Sequence, residues 1–179
     1  MNIPEVIESE VAFNGKLITI TRDALSRSGK APFIREVATT TDSVAVVALD
    51  ELQRVLLVSQ YRHPLRTSVW EIPAGRIDVE GEAPEHTALR ELREEADIVA
   101  SNIKPLTTFA NSVGWTTEKT QVFLASDLKE VPAFERHDEE ADIEKQWVLL
   151  ADALEMIQTG QIIDAKTIIG ILLAKALVG

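Results

Sequence analysis

Residues 90–98 read Arg90-Glu91-Leu92-Arg93-Glu94-Glu95-Ala96-Asp97-Ile98. At 100° per residue, Glu91, Glu94 and Glu95 share one arc of a helix while Leu89, Leu92 and Ala96 fill another. Like charges three and four apart repel by roughly 0.2–0.5 kcal/mol a pair, and near a helix C-terminus the macrodipole disfavours anions as well. A hard divalent cation reverses both penalties. Taken alone, such a run is most often a solvated charged face, with Arg90 and Arg93 paired to Glu94 and neighbouring acids.

Reading outward changes that balance. Gly75 is followed after six residues by Glu82, and Glu82 after seven by Arg90. The pattern strongly resembles the Nudix box: Gly, five residues, Glu, seven residues, Arg-Glu, an aliphatic residue, any residue, Glu-Glu, any residue, Gly and an aliphatic residue, in a loop-helix-loop. Two departures are visible, one extra residue between Gly75 and Glu82 and Asp97 in place of the glycine. With each residue type at roughly 6% usage, six matched positions arise by chance about once in 10⁷ starting points. Asp tolerates the left-handed conformation that the glycine supplies better than most side chains do, and the insertion falls in a loop, where length changes are tolerated.

The resemblance implies that Glu91 and Glu95 bind the metal, with Glu94 either a direct or water-mediated ligand or an auxiliary catalytic carboxylate, and with Arg90 orienting the carboxylates. Ahead of the box stand Gln60-Tyr61-Arg62 and Trp70-Glu71-Ile72-Pro73-Ala74-Gly75, a combination that resembles the ADP-ribose pyrophosphatase branch of the family over about residues 10 to 178. That branch implies a metal-ligating carbonyl at Ala74 and a diphosphate contact at Arg62, whose planar forked donor suits the role. Glu71 is read either as a substrate contact or as the ion-pair partner of Arg62. The stretch 112–118 corresponds to a substrate loop, with Val113 where the branch usually has proline. Within it Trp115 and Glu118 are candidate substrate-binding residues, Trp115 stacking on an adenine or else packing. A second acidic cluster, His137-Asp138-Glu139-Glu140-Ala141-Asp142, corresponds to the loop from which this branch draws its catalytic glutamate. Glu139 and Glu140 both remain candidates.

The implied activity is metal-dependent hydrolysis of ADP-ribose to AMP and ribose 5-phosphate, with Mg²⁺ as cofactor and Mn²⁺ as an alternative. Two other readings stand beside it: hydrolysis of another nucleotide sugar or nucleoside diphosphate derivative, and a catalytically silent Nudix-like domain that senses a nucleotide. The resemblance also implies a homodimer built through the N-terminal strand unit.

Composition narrows the field independently. A net charge of −11 argues against non-specific binding to nucleic acid or an anionic membrane surface, both of which run on surplus Lys and Arg. An anionic substrate then needs local help from a metal or a few placed arginines. The absence of cysteine excludes disulfides, thiolate catalysis and Cys-based zinc sites. His63, His86 and His137 are not at ligand spacing, so a histidine metal site is not expected. Residues 1–10 hold neither a basic n-region nor an apolar h-region, and the expected location is the cytoplasm. The apolar run 162–178 is interrupted by Asp164, Lys166 and Lys175, which fits a buried helix rather than a membrane span.

Alternating β-branched runs predict strands at about 9–13, 16–23, 33–39, 43–49, 54–61, 69–72, 105–110, 119–125 and 145–150, and helices at about 84–97, 151–159 and 165–178. Asn14-Gly15 signals a hairpin through a type I′ turn. Pro84 suits the first position of the first helix. The last helix, apolar over most of its circumference, belongs in a core or at a subunit contact. The expected class is α+β, mixed sheets sandwiched by helices as in the Nudix fold. A small antiparallel β unit occupies 1–42 as a dimerisation element, ahead of a hydrolase domain at 43–179.

Overall fold

The structure, a computed structural model, describes residues 3–133 and 143–178. By contacts the chain divides into two compact units, one made of Met1–Asp42 with Ala110–Lys119 and the other of Ser43–Phe109 with Thr120–Gly179.

The first unit is built on an antiparallel sheet of β1 (Glu5–Asn14), β2 (Thr19–Ser26) and β3 (Phe33–Thr39) in that order. The hairpin expected at Asn14-Gly15 is present, but not as a two-residue type I′ turn. Asn14 pairs with Thr19, the Gly15 N–H donates to Ile18 O at 2.9 Å, and neither Asn14 nor Gly15 has a positive φ. The glycine instead gives room to the Phe13 ring, whose edge would lie 2.6 Å from a Cβ on Gly15 and would have to move to admit one. Segment 110–119 joins this unit by backbone pairing. The Ala38 N–H donates to Trp115 O at 2.7 Å and the Thr117 N–H to Ala38 O at 3.0 Å.

In the second unit, β4 (Ser43–Ala48) pairs antiparallel with β7 (Ala74–Arg76) and parallel with β9 (Lys119–Glu130), giving a four-stranded mixed sheet in the order β7-β4-β9-β8, where β8 is Ile98–Ala110. A three-stranded antiparallel sheet places β5 (Arg54–Arg62) between β10 (Glu144–Leu149) and β6 (Thr67–Glu71). Because successive strand residues face opposite ways, β4 serves two cores. Ala45 and Val47 pack with Leu57, Ile72, Val122 and Ile171, while Val44, Val46 and Ala48 pack with Leu56, Ala88, Leu92 and Phe123. This is why 44–49, expected as an alternating strand, is in fact continuously apolar.

The three helices are α1 (Pro84–Ala96), α2 (Leu150–Gln158) and α3 (Ala165–Val178), within one residue or so of the sequence expectation. The apolar α3 lies on β4, with Gly170 permitting the close approach: a Cβ there would sit 2.7 Å from Val47 Cγ2 and 3.1 Å from Ile72 Cδ1. Among the described residues no helix is long and apolar enough to cross a membrane.

Candidate active site

Helix α1 opens on Ala83 as N-cap, with no side-chain capping bond, and Pro84 behind it, where the missing N–H costs nothing. Just upstream, Glu82 accepts the Thr87 hydroxyl proton at 2.8 Å. The helix ends at Asp97 in the left-handed region, φ 59° and ψ 34°, its N–H donating to Arg93 O at 3.1 Å. Leu92, Ala88 and Ala96 bury one arc, and the same burial carries Glu91 and Glu95 inward to 7% and 5% exposure.

The cause is the corner between β6 and β7. There Pro73 O accepts the Val46 N–H at 2.8 Å, and Ala74 and Gly75 pair with Ala45 and Val44. The Ala74 N–H donates to Glu95 Oε2 at 2.9 Å. Gly75 lies flat against the Glu91 carboxylate: an ideal Cβ would stand 2.0 Å from its Cδ and 2.2 and 2.4 Å from its two oxygens. Glycine is needed here for close approach, not for a left-handed turn.

The electrostatics follow from burial. Loss of water, opposed by the Ala74 N–H and reinforced by the Glu91 charge, pushes the Glu95 carboxyl up to about 8. Arg90 offsets part of the negative charge. Its Nη1 donates to Glu91 Oε1 at 2.8 Å and Glu94 Oε2 at 3.1 Å, and its Nη2 to Glu82 Oε2 at 3.3 Å and Asp78 Oδ1 at 3.4 Å. Burial opposes its charge, yet Glu91, Glu82 and Glu94 together raise its pKa. The box arginine is thus committed to the carboxylates.

A second ionic group borders the same corner. Arg62, at the end of β5, donates two parallel bonds to Glu71, Nε to Oε1 and Nη2 to Oε2, each 2.7 Å. Glu71 is 2% exposed and also pairs with Lys166 at the start of α3, which in turn meets Asp164 at 3.0 Å. Burial acts to raise the Glu71 pKa, but Arg62 and Lys166 together bring it below its ordinary value. Thr167 completes the junction: its hydroxyl donates to Asp164 Oδ2 at 2.6 Å and accepts the Ile72 N–H at 2.9 Å. The sequence reading assigned α3 to packing and missed Asp164, Lys166 and Thr167. A usable signal existed, since Asp164 three residues before Thr167 at the start of an apolar run is a helix N-cap, and the Thr167 N–H does donate to Asp164 Oδ2 at 3.0 Å.

Of the predicted site residues, the second unit brings together Glu91, Glu95 and Ala74, flanked by Glu94 through Arg90, with Arg62 and Glu71 on the strands leading to the same corner. Trp115, 60% exposed, and Glu118 belong to the first unit, where Glu118 O accepts the Asn111 N–H at 3.0 Å. Glu139 and Glu140 lie outside the described residues. Among the described residues no three acidic or imidazole side chains gather into a ready cation site. The donors at hand are the Glu91 and Glu95 carboxylates and the neighbouring Ala74 carbonyl. Two carboxylates side by side in a dry corner, where burial and the Glu91 charge oppose ionisation of Glu95, with a backbone carbonyl beside them, are the oxygen donor set that fits a hard divalent cation.

The NUDIX domain family matches residues 39–168. The chain is 38% identical over 172 residues to an ADP-ribose pyrophosphatase of Mycobacterium tuberculosis (strain ATCC 25618 / H37Rv), covering 96% of this chain and 83% of that protein. It is 37% identical over 164 residues to an ADP-ribose pyrophosphatase of Bacillus subtilis (strain 168), covering 91% and 88%. A crystal structure described as an ADP compounds hydrolase superposes with a TM-score of 0.84, at 20% identity, over 98% of this chain and 94% of that chain. That likeness shows the fold.

Proposed function

Since the chain belongs to the Nudix family, we propose that it hydrolyses the diphosphate of ADP-ribose, releasing AMP and ribose 5-phosphate. The observation that carries this reading is the buried pair Glu91 and Glu95 closed against Ala74 and Gly75, in a chain 38% and 37% identical to two ADP-ribose pyrophosphatases.

A diphosphate resists water because its charges repel the nucleophile and the leaving phosphate is itself anionic. A divalent cation, when bound, supplies the positive charge that offsets both obstacles. Glu91, Glu95 and the Ala74 carbonyl would hold it, Mg²⁺ first and Mn²⁺ as the alternative. Arg90 keeps Glu91 and Glu94 pointed inward. Arg62, fixed along one edge by Glu71, offers the rest of its guanidinium to the diphosphate. Glu139 or Glu140 takes the proton from the attacking water as its oxygen bonds to phosphorus and the P–O–P bridge breaks. Trp115 and Glu118 contact the remainder of the substrate.

The reading includes a cytoplasmic homodimer assembled through the N-terminal sheet. Its support is that Val6, Ile7, Val11 and Phe13 of β1 are all more than half exposed, apolar side chains that a protein contact would cover. Light scattering at micromolar concentration reads a dimer if this holds and a monomer if it does not.

The deciding experiment is a screen of nucleoside diphosphate compounds with Mg²⁺ and with Mn²⁺, resolving products by chromatography. Release of AMP from ADP-ribose supports the reading. Cleavage of another nucleotide sugar with ADP-ribose intact refutes the substrate assignment, and metal-dependent binding without turnover of any compound would identify a sensor.

A further inference from the structure

Glu71 stands opposite Val58 in the β5–β6 ladder, four residues before Arg62 and so about 13 Å from it along the strand. Both side chains therefore extend along the sheet toward each other to make their two 2.7 Å bonds. The Arg62 side chain is 39% exposed, so packing alone does not select its conformation, and fixing so long a side chain costs rotamer entropy. The Glu71 carboxylate selects it instead. With Nε and Nη2 bound to Glu71, Nη1 donates to nothing among the described residues and is the end left for a ligand.

What fixes Glu71 is the first turn of α3. Lys166 Nζ donates to Glu71 Oε2, and one residue further along both segments the Ile72 N–H donates to Thr167 Oγ1 at 2.9 Å. Neighbours in the chain are thus stitched to neighbours on the helix. Asp164 backs both stitches, accepting the Thr167 hydroxyl proton at 2.6 Å and meeting Lys166 Nζ at 3.0 Å. The charges of Arg62, Lys166, Glu71 and Asp164 cancel, so this group offers an anion a directed donor rather than a net attraction. It also borders the box. The Ala74 N–H, three residues past Glu71, donates to Glu95 Oε2 at 2.9 Å, and the charges on Arg62 and Lys166 both favour the charged form of Glu95.

We infer that Lys166 is a positioning residue for the proposed reaction: it pins the Glu71 carboxylate, Glu71 splints Arg62, and the open Nη1 end of the guanidinium is thereby held for the diphosphate. The inference rests on the reading above that Arg62 contacts the diphosphate. Without Lys166 the carboxylate keeps Arg62 as its one cation, turns more freely about its last torsion, and carries the guanidinium with it. The loss falls on substrate binding, because the contact is made before the P–O–P bridge breaks.

The test is a double-mutant cycle of Lys166→Met and Glu71→Gln, assayed at saturating Mg²⁺ and below the melting range. Lys166→Arg is the conservative variant and Arg62→Met the control on the underlying reading. Expected for Lys166→Met is a KM about tenfold higher, the size of one charge-assisted hydrogen bond lost, with kcat within about threefold. Lys166→Arg should keep KM within about threefold. In the Glu71→Gln background Lys166→Met should raise KM no further, because its effect passes through that carboxylate. The double variant removes opposite charges together, so no buried carboxylate is left charged and short of a partner. A second readout needs neither substrate nor metal: hydrogen exchange at the Arg62 Nε–H, followed by NMR, should quicken about tenfold in Lys166→Met and not in Lys166→Arg. Where Lys166→Met does not fold, Lys166→Gln, which keeps an uncharged donor, takes its place with the same two readouts. A Lys166→Met protein that melts earlier but keeps its KM, a KM effect that persists in the Glu71→Gln background, or unchanged Arg62 exchange overturns the inference. An unchanged KM in Arg62→Met refutes instead the reading that Arg62 meets the diphosphate. If the unaltered protein spares ADP-ribose and cleaves another diphosphate compound, the substrate reading fails, and the kinetic comparison runs on that compound.

Discussion

Gly75→Ala separates chemistry from folding at a single atom. The added Cβ would stand 2.0 Å from Glu91 Cδ, 1.4 Å inside the 3.4 Å at which ordinary van der Waals contact begins. The obstructed group is the end of a flexible side chain rather than backbone, so Glu91 swings aside instead of the sheet deforming. Leaving its rotamer costs about 0.5–1.5 kcal/mol, and giving up its 2.8 Å bond to Arg90 about 1.5–3 kcal/mol more. Replacing glycine at an ordinary φ returns about 0.4–1 kcal/mol by restricting the unfolded chain. Net stability therefore falls by about 1–4 kcal/mol, and the melting temperature by about 2–16 °C for a chain of this size, which leaves the protein folded at assay temperature. The carboxylate, in contrast, is displaced by more than an ångström, which costs about 10²-fold or more in rate. The assay is AMP release from ADP-ribose across a Mg²⁺ titration, with thermal melting in parallel. A Gly75→Ala protein with kcat within threefold of the original would refute the placement of Glu91 at the reacting centre. A protein that no longer folds would refute the argument that only the side chain yields.

Glu95→Gln should leave the fold intact and abolish turnover, and Mg²⁺, which raises the melting temperature of the unaltered protein by binding its native state, should no longer do so; unchanged turnover counts against the metal assignment. Lys166→Met removes one of two cations from the buried Glu71 and should cost about 3 kcal/mol at neutral pH, read by denaturant unfolding. Because the native Glu71 pKa lies below the unfolded one, the stability it contributes is full above the unfolded value and fades as pH falls through the native value. The gap between Lys166→Met and the unaltered protein should therefore close in acid. Of Glu139→Gln and Glu140→Gln, one should lower kcat by about 10²–10⁴-fold with little change in KM, the signature of a lost general base, and equal wild-type rates in both would move the base elsewhere. Gly170→Ala meets packed core, 2.7 Å from Val47 Cγ2, and should lower stability, the overpacking cost of about 1–3 kcal/mol exceeding or matching the helix gain of about 1 kcal/mol, while kcat below the melting range stays unchanged.

What could be read from the chain alone was whatever local periodicity and spacing encode. The 3.6-residue pattern marks α1 and places Glu91 and Glu95 on one arc, the β-branched runs mark the strands except β7 and residues 98–104 of β8, and the spacing from Gly75 through Glu82 to Arg90 identifies the family. Those properties are set by neighbours in sequence, so no coordinates are needed to see them. The tertiary structure decided what each charge meets. Asn14-Gly15 satisfies a hairpin pattern equally well in either turn geometry, and only the folded chain shows the wider loop, with Asn14 paired to Thr19 and the Gly15 N–H on Ile18 O. Glu71 reads as a substrate contact or as a partner of Arg62, and only the fold brings Lys166, 95 residues on, to the same carboxylate and buries the group. Gly75 shows its purpose only when β7 is laid against α1. Asp97 reads as a tolerated departure from a motif until β10 brings Lys145 to it, 48 residues on. Burial and long-range ion pairing are properties of the folded chain. Local sequence therefore identifies the box helix, and only the packing around it shows why burial disfavours the charge on Glu95 and which side chains surround the carboxylates.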